Sequence, residues 1–219
     1  EAIKGFEEGC KGKNILIKEM YDLEGDINIE KGKGIIRNIN NAVFKPDLIL
    51  TVGVLASILV KEHCANIPIL FCMAINYERL NLQGPNITGI SSEVSIEDQF
   101  AVLKELLGKF KYGNIGVIYD PRNTGGIISK AVSVAKKYEF DLITKEAFSD
   151  SEVISALKNM IKKIDALWIV PDETVITKDS LNAILKETQQ RRLPTLCTSS
   201  AIVKAGALIS VSPDYRYIG

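Results

Sequence analysis

Histidine is nearly absent from this chain: His63 is the single one in 219 residues. Its neighbour Cys64 makes one ligand pair, and one pair does not build a metal site. Four cysteines, Cys10, Cys64, Cys72 and Cys197, form no C-x-x-C pair, so zinc and thioredoxin-like redox spacing are both missing. An excess of one charge is missing too. The 27 basic and 27 acidic side chains cancel, whereas a nucleic-acid or anionic-membrane partner would show as a basic excess or stripe. The longest uncharged apolar run, Leu48 to Val60, is shorter than the roughly 18 residues of a spanning helix. P-loop, G-x-G-x-x-G and G-x-S-x-G motifs are lacking, and no acidic cluster gathers with Asp120 for magnesium. No metal, cofactor or nucleic acid is expected. No signal sequence is visible, and the opening amphipathic segment, Glu1 to Gly9, has no strand before it.

What is present is a repeated arrangement. Ile115 to Tyr119 runs into Asp120-Pro121-Arg122-Asn123-Thr124, and Ala166 to Val170 runs into Pro171-Asp172-Glu173-Thr174. Each tip leads into a helical pattern. Buried parallel strands that deliver an acid, a proline and a capping residue to one sheet edge are how open α/β proteins build ligand sites. Along the chain, strands are expected at Ile15–Met20, Asp47–Val52, Pro68–Met73 and Ile87–Ile90, with helices over Ile27–Phe44 and Val54–Cys64. Ser95-Ile96-Glu97-Asp98 carries a capping-box pattern, and a helix follows to about Phe110. Strands at Asn114–Tyr119, Asp141–Glu146, Asp165–Val170, Pro194–Cys197 and Ala207–Val211 then alternate with helices at Asn123–Tyr138, Asp150–Ile164, Thr177–Gln190 and Ser199–Lys204. Alternation at this spacing predicts parallel sheets covered by helices. Two such stretches, residues 1–92 and 93–219, predict two α/β lobes and a cleft, the second including a return crossover.

Gly5-Phe6-x-x-Gly9, Thr51-Val52-Gly53, Asn86-Ile87-Thr88-Gly89-Ile90, Ile115-Gly116-Val117-Ile118-Tyr119, Asp165 to Asp172 and Val203-Lys204-Ala205-Gly206-Ala207 together resemble the substrate-binding proteins of a family of bacterial ABC transporters, whose better-understood members bind aromatic amino acids such as tryptophan. The resemblance spans essentially the whole chain. It implies two doubly wound parallel-sheet lobes of the type I periplasmic-binding-protein kind, hinged by crossovers. Family members usually begin with one further strand and end with a helix after the equivalent of Tyr215 to Gly219, so the chain is expected to be truncated at both ends.

An amino-acid ligand needs N–H donors for its carboxylate and an acid for its ammonium, because a buried unpaired charge costs several kcal/mol. Asn123 and Thr124, opening a helix, are candidates for the carboxylate; ordinary N-capping is the competing reading, and the resemblance brings the two level. Asp172 is the candidate for the ammonium, with Thr174 on the same tip; a solvated turn acid is the alternative, and the resemblance favours binding. Asp214 and Tyr215 resemble an acidic-aromatic tip of the family, against a frayed terminus. Gly53 lets the backbone approach a ligand, or serves only its turn. Val54 stands where relatives often carry a hydroxyl residue, and Asn76-Tyr77 where many carry Asp-Pro; Tyr77 could supply a stacking face. Ser199 could donate to a ligand, although capping a short helix is the safer reading. Trp168 reads as core.

The expected function is capture of a small organic ligand, an amino acid and, as the resemblance implies, one of the aromatic kind, outside the cytoplasm by the solute-binding component of an ABC importer. The partner is then an ABC permease, the location periplasmic or lipid-anchored at the cell surface, and the full-length protein a monomer without catalytic activity. Two rivals remain: an extracytoplasmic sensor domain of a membrane receptor, and a cofactor-independent racemase using Cys72 and Cys197 as opposed thiols.

Overall fold

The structure, a computed structural model, describes residues 1–23, 29–108 and 113–219. The expected helix start at Ile27 and helix end near Phe110 lie outside the described residues. The chain divides into two compact units, Glu1–Glu93 with Pro213–Gly219, and Val94–Ser212.

In the first unit, α1 (Ala2–Cys10) and α2 (Ile29–Asn41) precede β1 (Ile49–Val52), α3 (Val54–His63), β2 (Ile69–Ala74) and β3 (Ile87–Ser91). The strands form a parallel sheet in the order β1-β2-β3. Ile36 of α2, Leu59 and Val60 of α3, and Ile69, Phe71 and Ala74 of β2 share its core. The strand expected at Ile15–Met20 does not form. Ile15, Leu16, Ile17 and Met20 are exposed, and β1 takes its ladder from β2. Alternation of apolar and polar residues fits a strand, but the segment joins no sheet among the described residues, and an unpaired strand has nothing to hold it.

The second unit continues with α4 (Ile96–Leu107), β4 (Asn114–Tyr119), α5 (Pro121–Lys137), β5 (Asp141–Glu146), α6 (Asp150–Met160), β6 (Ala166–Trp168), α7 (Lys178–Gln190), β7 (Thr195–Cys197), α8 (Ser200–Ala205) and β8 (Ile209–Ser210). Its parallel sheet has the order β5-β4-β6-β7-β8. The two-residue period of a strand sorts the apolar residues onto two faces. Ile115 and Val117 of β4 and Ala166 and Trp168 of β6 pack with α4 and α5, while Ile118 and Leu167 pack with α6 and α7. The capping box is confirmed in part: Asp98 N–H donates to Ser95 Oγ at 3.0 Å.

Trp168 is buried, as its apolar neighbours predict, and its indole N–H donates to Gln99 Oε1 at 2.7 Å. The Gln99 amide in turn donates to the Val94 carbonyl at 3.0 Å. Gln99→Leu therefore leaves a buried indole N–H without its acceptor, and is expected to cost about 1–3 kcal/mol. Urea unfolding followed by Trp168 fluorescence measures it; an unchanged midpoint would show that the indole N–H finds another partner.

The last residues, Pro213–Gly219, group with the first unit; the sequence reading counted them with 93–219 as a second lobe that includes a return crossover. A short helix, α9 (Tyr215–Ile218), packs against α1. The approach is so close that a Cβ on Gly5 would fall 1.9 Å from the Arg216 carbonyl oxygen. Arg216 also pairs with Glu8, its Nε 3.1 Å from Oε2.

Candidate functional site

The order β5-β4-β6 contains a change of direction: from β4 the chain first crosses outward to β5, then back past β4 to β6. Such a switch point opens a crevice at the carboxyl ends of the two strands, the usual ligand position in parallel α/β sheets. Asp120 directly follows β4, and Asp172 follows the extended end of β6.

The side chains here form one hydrogen-bonded group. Asp172 Oδ2 accepts from Asp120 N–H at 2.9 Å and from the Thr124 hydroxyl at 2.6 Å. Its Oδ1 accepts from Thr174 N–H at 3.0 Å and from Asn123 Nδ2 at 3.3 Å. The Asn123 amide also donates to Thr174 Oγ1 at 3.2 Å, and the Thr174 hydroxyl donates to Asp120 Oδ2 at 3.1 Å. Arg122 completes the group: its backbone N–H and Nε each lie 2.9 Å from Asp120 Oδ1. Asp120, Thr124 and Asp172 are fully buried within the unit.

The chain folds this way locally because Asp120-Pro121 is a helix start. Asp120 is the N-cap of α5 and Pro121 occupies its first turn, where a missing N–H costs nothing and φ is already helical. The sequence reading began this helix at Asn123 and gave the capping to Asn123 and Thr124. Instead, the N–H groups of both donate to the Asp120 carbonyl, at 2.9 and 3.0 Å, so they are used within the first turn. Asp120 itself was missed as a site residue, although Asp-Pro ahead of an amphipathic pattern is the signal that finds it. The Arg122 guanidinium holds the Asp120 carboxyl far below the usual carboxylate range. A folded-state value below the unfolded one gives stability that is complete above the ordinary aspartate range and is lost as pH falls toward the folded value.

The remaining candidates are placed as follows. Gly53 is the N-cap of α3 at φ +93°, a backbone region that favours glycine, and its N–H donates to the Cys72 carbonyl at 2.9 Å. Val54 packs on the first unit's core. Asn76 has a left-handed backbone, φ +53°, and its N–H donates to Glu93 Oε1. The Tyr77 ring lies tilted against Phe71, centroids 5.8 Å apart, and joins the same core. Ser199 caps α8, accepting from Ala201 N–H at 3.3 Å. Asp214 caps α9, accepting from Arg216 and Tyr217 N–H at 3.0 and 3.1 Å; Tyr215 opens that helix. The structure thus joins Asn123, Thr124, Asp172 and Thr174 in one group, with Gly53, Val54, Asn76 and Tyr77 at the tips of the neighbouring strands β1 and β2.

Cys72 and Cys197 are buried, and burial pushes both thiols up. Cys197 Sγ lies 3.4 Å from the carbonyls of Ser199 and Ile209, in position to donate. A racemase base requires the opposite, a thiol shifted toward thiolate. No group of three or more potential metal ligands occurs among the described residues. No helix among them is long and apolar enough to cross a membrane.

Two doubly wound parallel units with a polar switch-point group define a ligand-binding α/β protein. The family profile described as ABC transporter substrate binding protein matches residues 1–219, and the chain belongs to that family. It is 30% identical over 145 residues, 64% of this chain and 40% of the relative, to a tyrosine-binding protein of Clostridioides difficile. The matched region is thus two-fifths of that relative's length. Solved structures share the fold. A ligand-free, open substrate binding protein with adhesive properties from Clostridium difficile has a TM-score of 0.71 at 21% identity, covering 99% of this chain and 76% of that one. An ABC domain in complex with L-Trp from Streptococcus pneumonia has a TM-score of 0.67 at 21% identity, covering 99% and 75%.

Proposed function

We propose that this substrate-binding protein captures an amino acid outside the cytoplasm and delivers it to the permease of an ABC importer, without catalysing any reaction. The observation that carries the reading is the buried Asp120–Asp172 group at the switch point of the second sheet. Two carboxylates taken out of water are costly unless something charged and hydrogen-bonding repays them, and Arg122 supplies a single positive charge. The group therefore favours a ligand that brings a cation, as an amino acid does. The tyrosine-binding relative and the tryptophan-bound structural neighbour support the same class of ligand.

Thermal unfolding against the twenty amino acids, with purines and short peptides beside them, tests this. A ligand at 100 times its Kd adds about 2.7 kcal/mol of stability. A rise confined to one chemical group of amino acids is expected; no rise with any of them would sink the amino-acid reading and leave the family alone.

A further inference from the structure

We propose that Arg122 is the residue that receives the ligand's carboxylate, while the negative field of the buried Asp120–Asp172 pair behind it favours the ligand's ammonium. This rests on the amino-acid reading above and assigns a contact within it.

Arg122 is two-thirds exposed, its side chain retaining 66% of its accessible surface, yet it is not left to swing in solvent. Its Nε and Nη2 bond the buried Asp120 carboxylate, and the ring of Phe148, just past β5, lies 5.2 Å from its Cζ. Asp120 is fixed in turn by the Thr174 hydroxyl. One edge of the guanidinium is thus spent on orientation. Among the described residues Nη1 takes no hydrogen bond, leaving donors on the outward edge. A guanidinium locked in place has already given up much of the side-chain entropy that an arginine otherwise loses on binding, and its planar fork fits a carboxylate.

The space beside it is open. Gly125 and Gly126 follow in the second turn of α5, where each glycine costs about 1 kcal/mol relative to alanine. A Cβ on Gly126 would meet nothing within 4 Å, and one on Gly125 only the Pro121 Cβ at 3.7 Å. Nothing inside the unit calls for glycine at either position. Both leave room for atoms approaching the start of the helix beside Arg122. The charges are consistent with a zwitterion. Asp120 is matched by Arg122, Asp172 remains as one further buried acid, and Glu152 also acts on Arg122. A lone anion would enter a negative field, whereas an amino acid brings its own ammonium to offset it.

Calorimetric titration of the wild type, Arg122→Gln and Arg122→Lys separates the contacts. The probes are L-tyrosine, tyramine, which lacks the carboxylate, and 3-(4-hydroxyphenyl)propionate, which lacks the amino group, or the same trio built on whichever amino acid raises the melting temperature. The wild type is expected to prefer the amino acid over both analogues at least tenfold. In Arg122→Gln the preference over the amine should collapse to within about threefold, with the preference over the deaminated acid retained; Arg122→Lys should fall between. An Arg122→Gln protein that binds the amino acid with an unchanged preference over the amine overturns this inference alone. A wild type that responds to no amino acid overturns the amino-acid reading and this inference with it.

Discussion

Asp172→Ala should lower the unfolding free energy of the second unit by about 3 kcal/mol. The substitution strips the acceptor from four donors at once. Asp120 N–H and the Thr124 hydroxyl are buried and lose their partner outright, and a buried donor left unsatisfied costs about 1–3 kcal/mol. Relief of crowding between two carboxylates offsets part of this, which keeps the figure below the sum. Asp172→Asn retains one acceptor oxygen and should cost less. Thr124→Val should cost about 1 kcal/mol by itself and little more when added to Asp172→Ala, because the hydroxyl is already orphaned there. The one tryptophan, Trp168, lies in the second unit, so urea unfolding followed by its fluorescence reports that unit. An Asp172→Ala loss within about 0.5 kcal/mol would show that its donors find other acceptors and that the carboxylate does not hold the two tips together.

The same group shows what a single sequence can and cannot reveal. Strands β4 and β5 were delimited from sequence at the residues where the structure ends them: an apolar run between turn signals fixes the buried β4 locally, and the half-exposed edge strand β5 is bounded by the turn before Asp141 and the helix start after Glu146. The two tips were legible for the same reason. Their linkage was not, since Asp120 N–H to Asp172 spans 52 residues and no local pattern encodes it. Asp120 stands alone as a metal ligand, and its role is legible only from the Asp-Pro pair ahead of an amphipathic pattern, which marks a helix cap. At Ile15–Met20 the local pattern was present and its partner was not, so alternation predicted a strand where no ladder forms. The contact of α9 with α1 brings together Arg216 and Glu8, 208 positions apart, a pairing no local pattern encodes, although a return crossover was itself expected.

Phe100→Ala should be at least as damaging, at about 3–5 kcal/mol, although it lies far from any candidate contact in the sequence. Phe100 sits on α4, fully buried, and meets three aromatic rings edge-on: Trp168 at 5.1 Å, Phe140 at 5.9 Å and Tyr138 at 6.4 Å. Removing the ring forfeits its transfer free energy and opens a cavity among rigid neighbours that close poorly around it; the edge-to-face pairs add to the loss. Phe100→Leu keeps most of the volume and should cost clearly less than the alanine. The effect on binding should be smaller than the effect on stability. Trp168 belongs to β6, whose tip leads to Asp172, but Leu167 and Ile169 anchor that strand to the opposite face, and Asp172 is tied to β4 by Asp120 N–H. Below its lowered melting temperature, Phe100→Ala should therefore bind the amino acid found by thermal shift within about threefold of wild type, a change of less than 1 kcal/mol. A large loss of affinity in the folded variant would mean that the aromatic cluster, not the tip network, sets the position of the site.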